Sequence, residues 1–212
     1  SRAEMCGNGI RCVGKYAYDH GLVRKDTLTV ETDSGIKVLD LVLEGGKVAR
    51  VRVDMGVPEF ERARVPMTGD PGRVVGEALH VQDHVFRVTA LSMGNPHCVT
   101  FVADVESFPV TRVGPAVENH PQFPKRVNAE FVQVVSRSEL IQRTWERGSG
   151  ETFACGTGAC AVAVAGVLND LSDGRVTIHL RGGDLLLEWA GEGHPVFKTG
   201  PAVEVFCGEV DV

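Results

Sequence analysis

Two cysteines occupy the same short frame in this sequence, Cys6-Gly7-Asn8-Gly9 and Cys155-Gly156-Thr157-Gly158. Each frame precedes a stretch that reads as a helix. A thiol at the mouth of a helix lies at the positive end of the macrodipole, which lowers its pKa. The flanking glycines let the backbone turn sharply and approach a ligand closely. Free N–H groups at a helix start bind an anion such as a carboxylate. Each frame therefore offers one activated thiol and one carboxylate cradle. Two such frames facing across a cleft would put thiols on opposite faces of one bound carbon. That arrangement suits inversion of a stereocentre beside a carboxylate, with a thiolate as base on one face and a thiol as acid on the other. The α-proton of an amino acid is only weakly acidic, so the site must be dry and its carboxylate donors preorganised.

Competing readings of the same residues are weaker. Cys12, Cys98, Cys160 and Cys207 lie in apolar-patterned segments and read as small buried hydrophobes. Residues Gly156 to Ala161 also match a dinucleotide fingerprint, but that motif needs a hydrophobic strand before it, and residues 147–152 are polar with two glycines. His80 and His84 are four apart on a segment that reads as strand, with Val81 where a zinc-binding helix would carry Glu, so no metal is expected. No C-x-x-C pair, G-x-S-x-G or P-loop motif occurs, and nothing suggests a pyridoxal lysine.

The elements that must position these frames can be read along the chain. Ile10 to His20 reads as a helix whose apolar face is Ile10, Val13 and Ala17, with Gly21 as its C-terminal stop. Strands follow at Leu28 to Glu31, Ile36 to Leu43 and Val48 to Met55, joined by turns at Ser34-Gly35 and Gly45-Gly46. Alternation in the third strand puts Val51 and Val53 on one face and Arg50, Arg52 and Asp54 on the other. The Pro- and Gly-rich stretch from Pro58 to Gly76 reads as a crossing. Beyond it come strands between Ala78 and Val102 broken by Gly94-Asn95-Pro96, a short helix at Thr111 to Asn119, and a strand pair at Ala129 to Val135 and Leu140 to Trp145. A buried helix is expected over Thr157 to Leu168. The end reads as strand: Val176 to Leu180, Leu185 to Trp189, Val196 to Lys198 and Val203 to Val212. The expected fold is α+β, two pseudo-symmetric halves, each a curled, mostly antiparallel sheet around a central helix. Residues 1–55 joined by a final strand at 201–212 form one half, and 56–200 the other.

Composition bounds the function. The 212 residues are 43% hydrophobic, 24% charged and 6% aromatic, an ordinary globular mix that excludes collagen-like and low-complexity classes. A net charge of −6 with no basic stretch argues against nucleic acid or an anionic membrane as partner. The apolar run from Ala159 to Leu168 is about half of the ~20 residues that span a bilayer. Six cysteines are too few for a disulfide scaffold, and free thiols in a reducing cytoplasm are expected. The substrate is expected to be a small molecule.

The residues from Ala3 to Cys12 (A-E-M-C-G-N-G-I-R-C) and from Gly150 to Ala159 (G-E-T-F-A-C-G-T-G-A) closely resemble the two signature motifs of the diaminopimelate epimerase family. Gly94-Asn95-Pro96-His97 and Trp145-Glu146-Arg147-Gly148 resemble two further motifs of that family, in the same order, and the likeness runs to Gly200-Pro201-Ala202. Proline racemases carry a similar cysteine pair, but with His where Asn8 stands. The resemblance implies interconversion of LL- and meso-diaminopimelate, on the way to lysine and peptidoglycan, with no pyridoxal phosphate, other cofactor or metal. It implies Cys6 and Cys155 as the acid/base pair. Gly7, Asn8, Gly156 and Thr157 would hold the reacting carboxylate. His97 and Glu146 would tune the thiols or bind the reacting ammonium, and Asn95, Asn128 and Arg147 would grip the distal end. It further implies a homodimer and a family segment ahead of Ser1 that adds substrate-binding asparagines and strands; the opening in mid-motif is read the same way. A racemase of histidine or proline, or an amino-acid-binding protein without turnover, is the alternative.

Overall fold

The structure is a computed structural model that describes residues 7–33 and 35–209. Cys6, the motif residues before it and Ser34 therefore lie outside the described residues. The chain divides into two compact units, Ser1–Val53 with Thr199–Val212, and Asp54–Lys198.

In the first unit, helix α1 (Gly9–Asp19) is followed by strands β1 (Thr27–Thr32), β2 (Gly35–Glu44) and β3 (Lys47–Asp54), which form an antiparallel meander. The β2–β3 turn is Gly45-Gly46, with φ of +59° and +80°, the double left-handed turn whose twist matches a hairpin. Val51 and Val53 are fully buried while Arg50 is exposed, as the alternation requires. The helix is rotated relative to its apolar pattern. Ile10, Arg11 and Gly14 are buried, and Val13 is 52% exposed. The cause is Gly14, where a Cβ would stand 2.9 Å from Leu39 Cδ2 and 3.4 Å from Leu41 Cδ2. Close packing of a bare backbone on the sheet outweighs burial of one valine, and a glycine gives no apolar signal in sequence.

The second unit has the strand order β11-β10-β8-β7-β6-β5-β4, from β4 (Val74–Val81), β5 (His84–Ser92), β6 (Pro96–Phe101), β7 (Asn128–Ser136), β8 (Glu139–Glu146), β10 (Arg175–Leu180) and β11 (Gly183–Trp189). A short β9 (Gly150–Thr152) pairs with β8. Most pairs are antiparallel, but β6–β7 and β10–β8 are parallel. Before β4 the crossing holds a 3₁₀ turn at Arg62–Arg64 and one bridge, Glu59 to Ser92. Helix α2 (Val110–Glu118) packs on β8, with Gly114 against Trp145. Helix α3 (Gly156–Leu168) is buried without a break from Gly158 to Gly166, the mark of a helix with apolar surface all round. None of the helices among the described residues is long and apolar enough to cross a membrane.

β12 (Val196–Pro201) runs out of the second unit into the first. The expected closing strand at Val203 to Val212 is not formed over 203–209, and 210–212 lie outside the described residues. Val203, Val205 and Phe206 are 72%, 83% and 84% exposed. β-branched and aromatic residues favour a strand only where a neighbouring strand supplies a ladder and a face to pack on, and here these side chains have no such cover.

Candidate active site

The second frame is built at the start of α3. Cys155 is its N-cap, extended at φ −117° and ψ 113°, and its Sγ accepts the Gly158 N–H at 3.4 Å. Thr157 Oγ1 lies 3.5 Å from the same sulfur. The residue is 5% exposed. Burial pushes the Cys155 thiol well above its ordinary pKa, and the negative charges of Glu130 and Glu146 push the same way; the contacts from Thr157 and Gly158 oppose them and lose. This corrects the expectation of a lowered pKa at this helix start. A half-charge at a helix terminus is outweighed once the sulfur is desolvated beside two carboxylates.

The second unit carries most of the residues marked in the sequence, and Glu130 and Glu146 bear on the Cys155 turn. His97 on β6 is the register partner of Asn128 on β7, which continues to Glu130 on the same face of the strand. His97 Nδ1 lies 2.9 Å from Glu130 Oε1 and Nε2 lies 3.0 Å from Asn95 Oδ1. The other Glu130 oxygen accepts Gln142 Nε2 at 2.7 Å and Thr144 Oγ1 at 2.5 Å. His97 and Glu130 are both fully buried. Asn128 donates to the Pro96 carbonyl at 2.9 Å and accepts the Arg147 amide at 2.9 Å, so it ties two motif loops together. Glu146 accepts Thr152 Oγ1 at 2.5 Å. Arg147 is exposed, and its guanidinium donates to the Lys125 carbonyl at 3.2 Å. Gly156 and Thr157 are half-buried in the first turn of α3.

The first frame is described from Gly7 onward. Asn8 is the N-cap of α1, yet its side chain caps no backbone N–H. Arg11, one turn on, donates to the Gly7 carbonyl and to Asn8 Oδ1, both at 3.1 Å, and its Nε reaches the Pro201 carbonyl at 3.1 Å.

Some structural supports were not singled out by the sequence reading. Glu130 is the chief one: a lone carboxylate inside the apolar run Ala129 to Val135 was the available signal. Glu118 is another. Buried at the end of α2, it accepts Trp145 Nε1 at 2.7 Å, the Gly148 amide at 2.9 Å and Arg126 at 3.0 Å, which holds the loop carrying Glu146 and Arg147. The remaining cysteines divide. Cys98 and Cys160 are buried as expected, but Cys12 and Cys207 are exposed. Cys12 follows the rotation of α1, and Cys207 lies in the segment that forms no strand. Among the described residues no group of three or more His, Cys, Asp or Glu could hold a metal ion.

The family model and the curated relatives name one family, and the solved structures share its fold. The model of the diaminopimelate epimerase family matches residues 1–61 and 89–205. The diaminopimelate epimerase of Pelotomaculum thermopropionicum is 56% identical over 209 residues, covering 99% of this chain and 74% of that protein. That of Moorella thermoacetica is also 56% identical, covering 99% and 75%. Among solved structures, a probable proline racemase from Agrobacterium radiobacter aligns at a TM-score of 0.71 with 14% identity, over 99% of this chain and 68% of that one. A phenazine biosynthesis protein of Bacillus anthracis aligns at 0.69 with 16% identity, over 99% and 77%. At those identities the likeness is one of fold.

Proposed function

The chain belongs to the diaminopimelate epimerase family and is an isomerase, and from that premise we propose that it interconverts LL- and meso-diaminopimelate by moving one α-proton between two thiols. The observation that carries the reading is Cys155, a buried thiol capping a helix whose first turn is Gly156 and Thr157. In one direction of the reaction Cys6 acts as the base and Cys155 as the acid, and the two exchange roles when it reverses. The Cys6 thiolate removes the α-proton, and its electron pair stays on carbon, stabilised as the carboxylate takes up charge. Cys155 then delivers its own proton to the opposite face of the same carbon. The centre is inverted, the two sulfurs have exchanged states, and no net oxidation occurs.

The other roles follow. Gly156 and Thr157, with Gly7 and Asn8, hold the reacting carboxylate through backbone and side-chain donors, where charge develops in the transition state. His97 and Glu146 stand beside the reacting centre and tune the thiols or bind the reacting ammonium. Asn95, Asn128 and the exposed Arg147 hold the distal amino-acid end, Arg147 through a bidentate carboxylate contact. The product serves lysine and peptidoglycan synthesis, and the working form is a cytoplasmic homodimer.

The test is incubation of reduced protein with LL-diaminopimelate in D₂O, following α-hydrogen exchange and stereochemistry together, with proline and histidine in parallel. One deuterium should enter at one centre as the meso form appears. Cys155→Ala and Cys6→Ala should each cut turnover by at least ~10²–10⁴-fold, the scale of a lost general acid or base. Near-normal turnover in either variant would end the two-thiol reading, and exchange with proline or histidine alone would move the substrate.

A further inference from the structure

Glu130 has no part in the acid/base scheme, yet it is the most deeply enclosed carboxylate near it. It is fully buried, as is its partner His97. Taking an ionised carboxylate out of water is costly unless hydrogen bonds compensate it. Three side chains do so here: His97 Nδ1 at 2.9 Å, Gln142 Nε2 at 2.7 Å and Thr144 Oγ1 at 2.5 Å. They come from β6 and β8, the two strands that flank the β7 of Glu130, and Glu130 and Thr144 are direct cross-strand partners. The carboxylate is also a floor for α3. A Cβ added to Gly158 would lie 2.8 Å from Glu130 Cδ and 2.9 Å from Oε2. One carboxylate thus touches both the ring of His97 and the turn that begins with Cys155.

We propose that Glu130 is a positioning residue, whose carboxylate locks the ring orientation and the Nδ1 proton of His97 while bracing the first turn of α3. The proposal rests on the reading of the Cys155 turn as the catalytic one. A carboxylate only accepts, so Nδ1 carries a proton, and Nε2 lies 3.0 Å from Asn95 Oδ1, where it accepts from the Asn95 NH2 once that amide is turned over. A histidine ring that is free to flip presents either nitrogen; one tied to a carboxylate presents a single one. Gln142 shows that the network has slack for a substitution: its Oε1 is buried with no hydrogen-bond partner, so it can accept from an amide placed at position 130. Glu130→Gln is therefore shaped to fold, while replacing the charged acceptor behind the ring.

Two readouts separate this role from simple packing. In ¹⁵N-histidine-labelled wild-type protein, a low-field Nδ1–H resonance should be present, assigned through its loss in His97→Gln, and should move upfield in Glu130→Gln. It is read without substrate, so it stands apart from the epimerase reading. In turnover of LL-diaminopimelate, Glu130→Gln should lose on the order of 10–100-fold in kcat, the scale for removing a carboxylate behind a functional histidine, with KM unchanged. Gln142→Leu, which removes an anchor but keeps the His97–Glu130 contact, should lower thermal stability and leave the ring proton in place. Absence of the low-field proton in the wild type would overturn the proposal whether or not Glu130→Gln folds. Wild-type kcat in a folded Glu130→Gln would overturn it as well.

Discussion

The two glycine-flanked frames share a spacing, but their described residues stand in different surroundings. At α3 the cap is the cysteine itself, whose sulfur accepts the Gly158 N–H, and the helix behind it is enclosed from Gly158 to Gly166. At α1 the Asn8 side chain caps no backbone N–H, the helix shows Val13 and Tyr16 to solvent, and among the described residues Arg11 reaches back to Gly7 and Asn8. Among the described residues, the second frame is enclosed around a buried carboxylate, and the first is reached by a cation. Similar local sequence therefore tells where a turn is, while the surroundings decide how stiffly it is held.

That difference predicts unequal sensitivity. Gly158→Ala should have the largest effect, because the new methyl would meet a carboxylate that three hydrogen bonds hold in place. Overpacking of this kind costs ~1–3 kcal/mol, and at ~2–4 °C per kcal/mol the melting temperature should fall by roughly 2–12 °C, with epimerase turnover falling alongside. An unchanged melting temperature and rate would show that α3 can slide off Glu130, and that enclosure is not what fixes this frame.

Arg11→Met comes next. It keeps the apolar stem and removes three hydrogen bonds to Gly7, Asn8 and Pro201. A loss of about 1–3 kcal/mol in urea unfolding is expected, with KM for LL-diaminopimelate rising more than kcat falls, since Gly7 and Asn8 belong to the proposed carboxylate cradle. If kcat drops and KM holds, the clamp serves the chemistry rather than binding, and the contrast between the frames is drawn in the wrong place.

The sequence reading succeeded where a pattern is local and failed where a neighbour decides. β2, β3, β7, β8 and α3 were legible because alternation or an unbroken apolar run states both the element and its burial. The face of α1 was not, since its closest contact is made by Gly14, which has no side chain to count. Residues 203–209 carry valines and a phenylalanine but no ladder, and propensity alone cannot supply one. At the site, the cysteines and the Asn-Pro-His and Glu-Arg motifs could be marked in advance because their types suggest chemistry. Glu130, Glu118 and Arg11 act through partners 33, 27 and 190 positions away, in the bonds to His97, Trp145 and Pro201, and no spacing rule spans such distances.

The smallest expected effect is a pH response of opposite sign in the two units. In the first, burial opposes ionisation of Asp19, but hydrogen bonds from Lys15 and the Val48 amide and the charges of Lys15 and Lys47 hold its pKa below the ordinary value. Its support is present above the unfolded pKa of about 3.9 and is lost as pH falls through the lower folded value. In the second, hydrogen bonds to Asp184 and Glu139 raise the pKa of His179. Its support is complete below the unfolded value of about 6.5 and is lost as pH rises through the raised one. Asp19→Asn should therefore be destabilising at neutral pH and approach the wild type in strong acid. His179→Gln should be destabilising near about pH 5.5 and converge with the wild type well above its raised pKa. Both differences should stay below that of Gly158→Ala, because an ion pair at a partly exposed site such as His179 is screened and Asp19 pays for its burial. Urea midpoints of the two variants across pH decide it: a His179→Gln deficit that grows with rising pH would reverse the sign and remove His179 from the account.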